Sequence, residues 1–319
     1  MKKPLFIALC LLALLASCDQ RKKKLIAVVP KATSHVFWLS VQAGAAAAGE
    51  QYGVEVLWNG PTQETEYSRQ IQIVDSMVAR RVDGIAVAAA ERKALVQSID
   101  RATAAGIPVT IFDSGLDSEN YMSYVATDNV EAGRLAARTL AELLGGAGDV
   151  AMIMHAPGSA STMDRERGFV EVIEKEFPKI RIVARQFGQS DRAKAMAAAE
   201  NILTAHPKLD GLFASSEPSS VGAALAIKAR GLSGKVKFVT FDSSDSMVED
   251  LRGGTIDAMV VQDAFRIGFE AVRTLAEKIK GGNPPKRIDL PARVITKKDL
   301  EDPAVQKLLS PDLKKLLPR

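Results

Sequence analysis

Two carboxylates, Asp113 and Asp242, sit in identical tripeptides, Phe112-Asp113-Ser114 and Phe241-Asp242-Ser243, and each tripeptide closes a β-rich apolar run. Ile107-Pro108-Val109-Thr110-Ile111 leads into the first and Val236-Lys237-Phe238-Val239-Thr240 into the second, with Gly106 and Gly234 just ahead. Runs of this length suit parallel strands covered by helices on both faces. Ligands bind at the carboxyl ends of strands in open α/β sheets, which makes both Asp side chains candidate contacts. Either one alone fits better as a cap on the following turn or helix. Two copies in the two halves of one chain point to carboxylates facing each other across a cleft.

Other residues converge on the same edge. His35, Phe37 and Trp38 follow the first strand, Arg165 lies in the first turns of a helix, Ser215-Ser216-Glu217 ends another strand and Gln262 ends the last long one. Rings beside carboxylates, a guanidinium and an amide suit a polyhydroxylated ligand: its C–H faces pack on the rings and its hydroxyls take directional hydrogen bonds. Phe37 and Trp38 also fit the buried face of a helix. Ala156 to Thr162 is a loop rich in Gly, Ser and Thr, suited to offering N–H groups and hydroxyls or to capping a helix. His155, at a strand end, reads as a satisfied polar residue of the cleft wall.

Other chemistries lack their residues. No strand is followed by a dinucleotide-type or phosphate-type glycine loop, and no Gly-x-Ser-x-Gly elbow occurs. The three His, at 35, 155 and 206, are not at ligand spacing with each other or with Cys, so neither a metal nor a cofactor is expected. A formal charge of +4 without a basic, aromatic-interleaved stripe argues against nucleic acid.

The elements that must position these residues alternate strand and helix with short links, the pattern of a parallel sheet. In the first half, strands are expected at 25–29, 54–58, 84–88, 109–112 and 123–126, with helices at 37–51, 65–81, 93–105 and from Asp128 to a Gly145-Gly146 stop. The second half repeats the scheme, with strands at 150–154, 180–186, 211–214, 236–241 and 257–261 and helices near 161–176, 191–205, 218–230, 244–252 and 263–280. An extended stretch runs to Ile295, and Thr296 onward reads as a charged terminal appendage. The length of 319 residues with 47% hydrophobic content supplies two cores. The fold class is α/β, two doubly wound parallel-sheet lobes.

Residues 1–18 read as an export signal, with Lys2-Lys3, an apolar run from Leu5 to Leu15, and Leu15-Ala16-Ser17-Cys18. The last four residues resemble the lipobox of bacterial lipoproteins, in which the Cys is acylated and becomes the new N-terminus. Cys18 is then the lipidation site, and residues 19–24, with cations at 21–24, form a tether against the membrane. The expected location is the periplasm or cell envelope.

Over about residues 25 to 295 the chain resembles the periplasmic sugar-binding proteins of the ribose-binding type, the type I substrate-binding subunits of ABC importers, whose fold is shared with LacI-type ligand domains. The stretches that carry the resemblance are Ile26-Ala27-Val28-Val29-Pro30 with Phe37-Trp38, Gly106-Ile107-Pro108-Val109 with Phe112-Asp113, and Thr127-Asp128-Asn129 with Gly133. Arg165-Glu166-Arg167-Gly168-Phe169, Leu203-Thr204-Ala205-His206-Pro207, Phe241-Asp242 and Val261-Gln262 add to it. The resemblance implies ring-stacking by Phe37 and Trp38 and ligand bonds from Asp113, Asp242, Arg165 and Gln262. At four family positions this chain departs, with His35 for an Asn, Ser114 for an Arg, Ser190 for a Phe and Ser216 for an Asn. The losses at Ser114 and Ser190 imply a wider pocket, and hence a hexose, a cyclic polyol such as an inositol, or a sugar bound with waters filling the gaps, in preference to a pentose fitted directly.

The resemblance also implies a first lobe of 25–127 plus 263–290, a second of 128–262 plus 291–319, and a hinge of three crossings that closes on the ligand. The expected protein is a monomer that is not an enzyme and hands a sugar or polyol to an ABC permease. A sensor presenting the same ligand to a membrane kinase or chemoreceptor is the alternative, and a glycoside hydrolase using the paired carboxylates a remote one.

Overall fold

The computed structural model describes residues 23–309. The expected signal segment, Cys18, most of the expected tether and residues 310–319, expected in the second lobe, lie outside the described residues. Two six-stranded sheets carry the chain. The first contains β1 (Leu25–Val29), β2 (Glu55–Trp58), β3 (Gly84–Val87), β4 (Val109–Phe112), β5 (Ser123–Thr127) and β11 (Arg287–Leu290), in the order β11-β5-β4-β3-β1-β2. The second contains β6 (Gly148–Met154), β7 (Ile180–Phe187), β8 (Gly211–Ala214), β9 (Lys237–Phe241), β10 (Ala258–Val261) and β12 (Arg293–Thr296), in the order β12-β10-β9-β8-β6-β7. All pairings are parallel except β10 with β12. The strand order turns back beside β1 in one sheet and β6 in the other, which opens a crevice at the strand ends there.

Helices cover both faces of each sheet: α1 (Val36–Tyr52), α2 (Tyr67–Ala79), α3 (Val96–Ala104) and α9 (Ala264–Ile279) on the first, and α4 (Asn129–Leu143), α5 (Ala160–Glu176), α6 (Arg192–Ala205), α7 (Glu217–Ala229) and α8 (Asp245–Gly253) on the second. The chain passes between the sheets after β5, after β10 and between β11 and β12. The two halves use the same packing device. A Cβ at Gly44 of α1 would lie 1.9 Å from the Phe265 carbonyl oxygen of α9, and one at Gly133 of α4 would lie 1.9 Å from that of Arg165 in α5. Only glycine permits this backbone approach. It fixes α5 against α4, and with it the base of the Arg165 side chain.

The structure differs from expectation at the chain end. Residues 296–309 are not an appendage: a 3₁₀ turn (Lys297–Glu301) and α10 (Pro303–Leu309) bury Leu300, Val305 and Leu309 in the second core. Three apolar residues spaced among charges were too sparse to signal this burial. The helix expected over 65–81 begins at Tyr67, because residues 62–65 bend and turn after Pro61. That turn delivers Glu64 into the cleft.

Candidate functional site

Asp113 and Asp242 leave their strands in one conformation. Both adopt the left-handed region, at φ 57° and 66°, which costs a non-glycine residue on the order of 1–3 kcal/mol. The Asp113 N–H donates to the Val125 carbonyl (2.8 Å) and the Asp242 N–H to that of Val260 (2.9 Å), so the neighbouring strand holds each turn in place. Asp242 is not the cap of α8, whose N-cap is Ser244. Asp113 pairs with Lys31 at 3.1 Å, and Asp242 accepts from Gln262 Nε2 (2.7 Å) and from the Glu217 N–H (3.3 Å).

Arg165 enters from the second turn of α5. Its guanidinium lies 3.8 Å over the Phe241 ring, donates to Asn129 Oδ1 (2.8 Å) and the Ser215 carbonyl (3.0 Å), and stands 3.9 Å from Asp242. Gln262 Oε1 accepts from Thr127 Oγ1 at 2.6 Å, which ties together the ends of β5 and β10 where the chain changes sheets. Trp38 meets both sequence readings. It is buried in the first core and also walls the cavity, edge-on to Phe37 (4.9 Å) and Phe112 (6.4 Å).

Two groups were missed in the sequence. Lys31, just past β1, is buried and uses its donors on Asp113, Ser161 Oγ (2.9 Å) and Ser159 Oγ (3.2 Å). Glu64 accepts from Trp38 Nε1 (3.0 Å) and meets His155 Nε2 at 2.8 Å, while His155 Nδ1 lies 2.8 Å from Ser216 Oγ. A lone Lys after a strand and a Glu in a polar turn resemble solvated surface, so no local signal distinguished them. The loop at 156–162 does offer hydroxyls and an N–H, but to the other lobe: Ser159 and Ser161 receive Lys31, and the Ser161 N–H donates to Ser114 Oγ at 3.2 Å.

These residues line a cavity of about 30 Å³, among them eight of the ten expected positions: His35, Phe37, Trp38, Asp113, Arg165, Ser216, Asp242 and Gln262. Ser114 and Ser190 are not among its lining residues. Ser114 is wholly buried in the contact between lobes, and Lys31 supplies the cation beside Asp113, so the expected widening there does not occur. Ser190 instead lines an outer chamber that shares His35 with the cavity. Among the described residues no cluster of three or more His, Cys, Asp or Glu is placed to hold a metal.

The cleft perturbs its own acids. Burial pushes the Asp242 carboxyl up, with Asp113 adding to the effect, against the pull of Arg165 and Gln262. Burial likewise raises Glu217 against Arg192 and His35, and Glu166 against its hydrogen bonds from Ser215 and the His155 N–H. Glu64 goes the other way. Burial alone would raise it, but the His155 ring, its hydrogen bond and the nearby Lys31 and His35 hold it well below the usual carboxylate range.

Residues 26–283 match the model of the periplasmic binding protein domain family. The D-ribose/D-allose-binding protein of Pseudomonas aeruginosa is 29% identical over 287 residues, which span 86% of this chain and 89% of that one. A carbohydrate transporter solute-binding protein of Agrobacterium radiobacter, solved with D-arabinose, superposes with a TM-score of 0.88 at 33% identity, covering 90% of this chain and 99% of the other. A solute-binding protein of an Agrobacterium vitis ABC transporter, solved with D-fucose, gives 0.87 at 34% identity, covering 90% and 100%. With two doubly wound lobes, matched strand-end carboxylates and this coverage, the chain belongs to the periplasmic binding protein family, in its ribose-binding type.

Proposed function

We propose that this protein captures a monosaccharide or cyclic polyol between its lobes and presents it to an ABC permease, anchored in the cell envelope through an acylated Cys18. The observation that carries the reading is the pair Asp113 and Asp242, held in the same left-handed turn at the ends of strands in opposite sheets, around one ring-walled cavity. A ligand that bonds both carboxylates links the two sheets and favours the closed arrangement by its differential affinity. Sugars occupy the two solved structures compared above, and the polar groups here suit hydroxyls. The lobes are 25–127 with 263–290 and 128–262 with 291–319, the three crossings are the hinge, and the protein acts as a monomer that binds without turnover.

A thermal-shift panel tests this reading. Ligand at a hundredfold excess over its dissociation constant stabilises the native state by about 2.7 kcal/mol, a melting shift on the order of 5–10 °C for lobes of this size. Pentoses, hexoses and inositols are expected among the hits. An amino acid or nucleoside as the only hit would overturn the carbohydrate reading.

A further inference from the structure

Among the described residues, two buried side-chain polar atoms have no hydrogen-bond partner, Glu217 Oε2 and Ser190 Oγ, and both lie where Arg192 and His35 meet the cleft. Glu217 is 1% exposed and lines the inner cavity. Its position is fixed from two sides: its N–H donates to Asp242 Oδ2, and Arg192 reaches down from α6 to bond Oε1. The remaining oxygen, Oε2, has no hydrogen-bond partner, and the His35 ring at 3.8 Å is too far to be one. A buried acceptor left unmade costs about 1–3 kcal/mol, more when it is charged.

The other acids of the cleft are engaged by the protein itself. Glu64 spends both oxygens on Trp38 and His155, and Asp242 receives Gln262, the Glu217 N–H and the approach of Arg165. Asp113 pairs with Lys31 through Oδ2, and Glu217 is the acid among them with a fully buried oxygen that no protein donor satisfies.

We infer that Glu217 is a specificity-determining ligand contact: Oε2 accepts a hydrogen bond from one hydroxyl of the bound sugar, at a corner built by Arg192 and His35. The inference rests on the carbohydrate reading and deepens it. Arg192 already balances the charge of Glu217, which selects a neutral hydroxyl donor over an ammonium group. Pro218, the next residue, has no N–H to offer, so the carboxylate is what α7 presents to the ligand at this end.

The test pairs a change in the protein with a change in the ligand. Titration calorimetry compares wild type, Glu217→Ala and Glu217→Gln with D-arabinose, D-allose, D-tagatose and D-galactose, with the monodeoxy analogues of each sugar that binds, and with D-galactosamine. One deoxy position is expected to cost wild type about 10- to 100-fold in affinity. Glu217→Ala should bind the parent sugar more weakly by a similar factor and no longer distinguish it from that analogue. Glu217→Gln, whose amide presents a donor to a donor, should lose as much while melting near wild type. Equal affinity of wild type and both variants for the parent sugar overturns the inference and leaves the carbohydrate reading standing, as does a deoxy penalty that survives in Glu217→Ala. D-Galactosamine bound more tightly than D-galactose overturns the neutral-donor assignment. A wild type that binds none of the sugars overturns the carbohydrate reading and the inference with it.

Discussion

Glu64 and His155 join the two lobes through a 2.8 Å hydrogen bond buried on both sides. Trp38 holds the carboxylate from the first lobe and Ser216 holds the ring from the second, so the contact forms only when the cleft is shut. Removing one partner of a buried pair costs about 3–5 kcal/mol while the site stays closed, a cost that opening would relieve by rehydrating the survivor.

His155→Ala is therefore expected to shift the ligand-free protein toward an open form, with a larger radius of gyration by small-angle scattering. Apparent sugar affinity should fall by about 10- to 100-fold through the reduced closed fraction. Unchanged scattering together with unchanged affinity would show that closure does not depend on the pair.

The legible part of this molecule was whatever repeats or alternates. Strand and helix periods marked five of the six strands of each sheet, because β-rich runs and Ala-rich helices are local signals, and the twin Phe-Asp-Ser tripeptides marked both strand ends that carry the turn at positive φ. Lys31 and Glu64 were invisible because their burial is created by the opposite lobe, through Ser159, Ser161 and His155. Ser114 read as a missing cation, although the cation had moved to the end of another strand, a compensation only three dimensions reveal.

Arg165 and Asp242 belong to one shared frame. Arg165→Ala removes the group stacked on Phe241 and leaves Asp242 without its nearest cation, so sugar affinity is expected to drop by about 2–3 kcal/mol. Asp242→Asn retains a side chain tolerant of the left-handed turn and should keep its thermal transition while losing affinity. A variant that loses its transition but keeps its affinity would identify these groups as structural.

Anchoring makes a separate prediction. Cys18→Ser should release the protein from membranes or leave an unprocessed precursor, since the thiol is the proposed acylation site. A variant that is fully processed and still sediments with membranes would exclude lipidation at Cys18.

The raised acids predict opposite pH trends for stability and binding. Burial lifts Asp242, Glu217 and Glu166 above their ordinary values in the folded protein. A carboxyl raised on folding binds its proton more tightly in the native state, so its contribution is fully present below the ordinary carboxylate range and lost as pH rises through the raised value. Glu64 is held low, and its contribution persists above the ordinary range and fails only at more acidic pH, outside this window. Ligand-free protein should therefore melt higher as pH falls from about 7 toward about 5. Sugar affinity should fall over the same interval, because Asp242 and Glu217 accept hydroxyl bonds best when ionised and Arg165, Arg192 and His35 favour that state. Melting curves and titrations of the best-bound sugar across that interval check both signs. A ligand-free melting temperature that declines steadily on acidification would mean that the cleft carboxyls are not raised in the native protein.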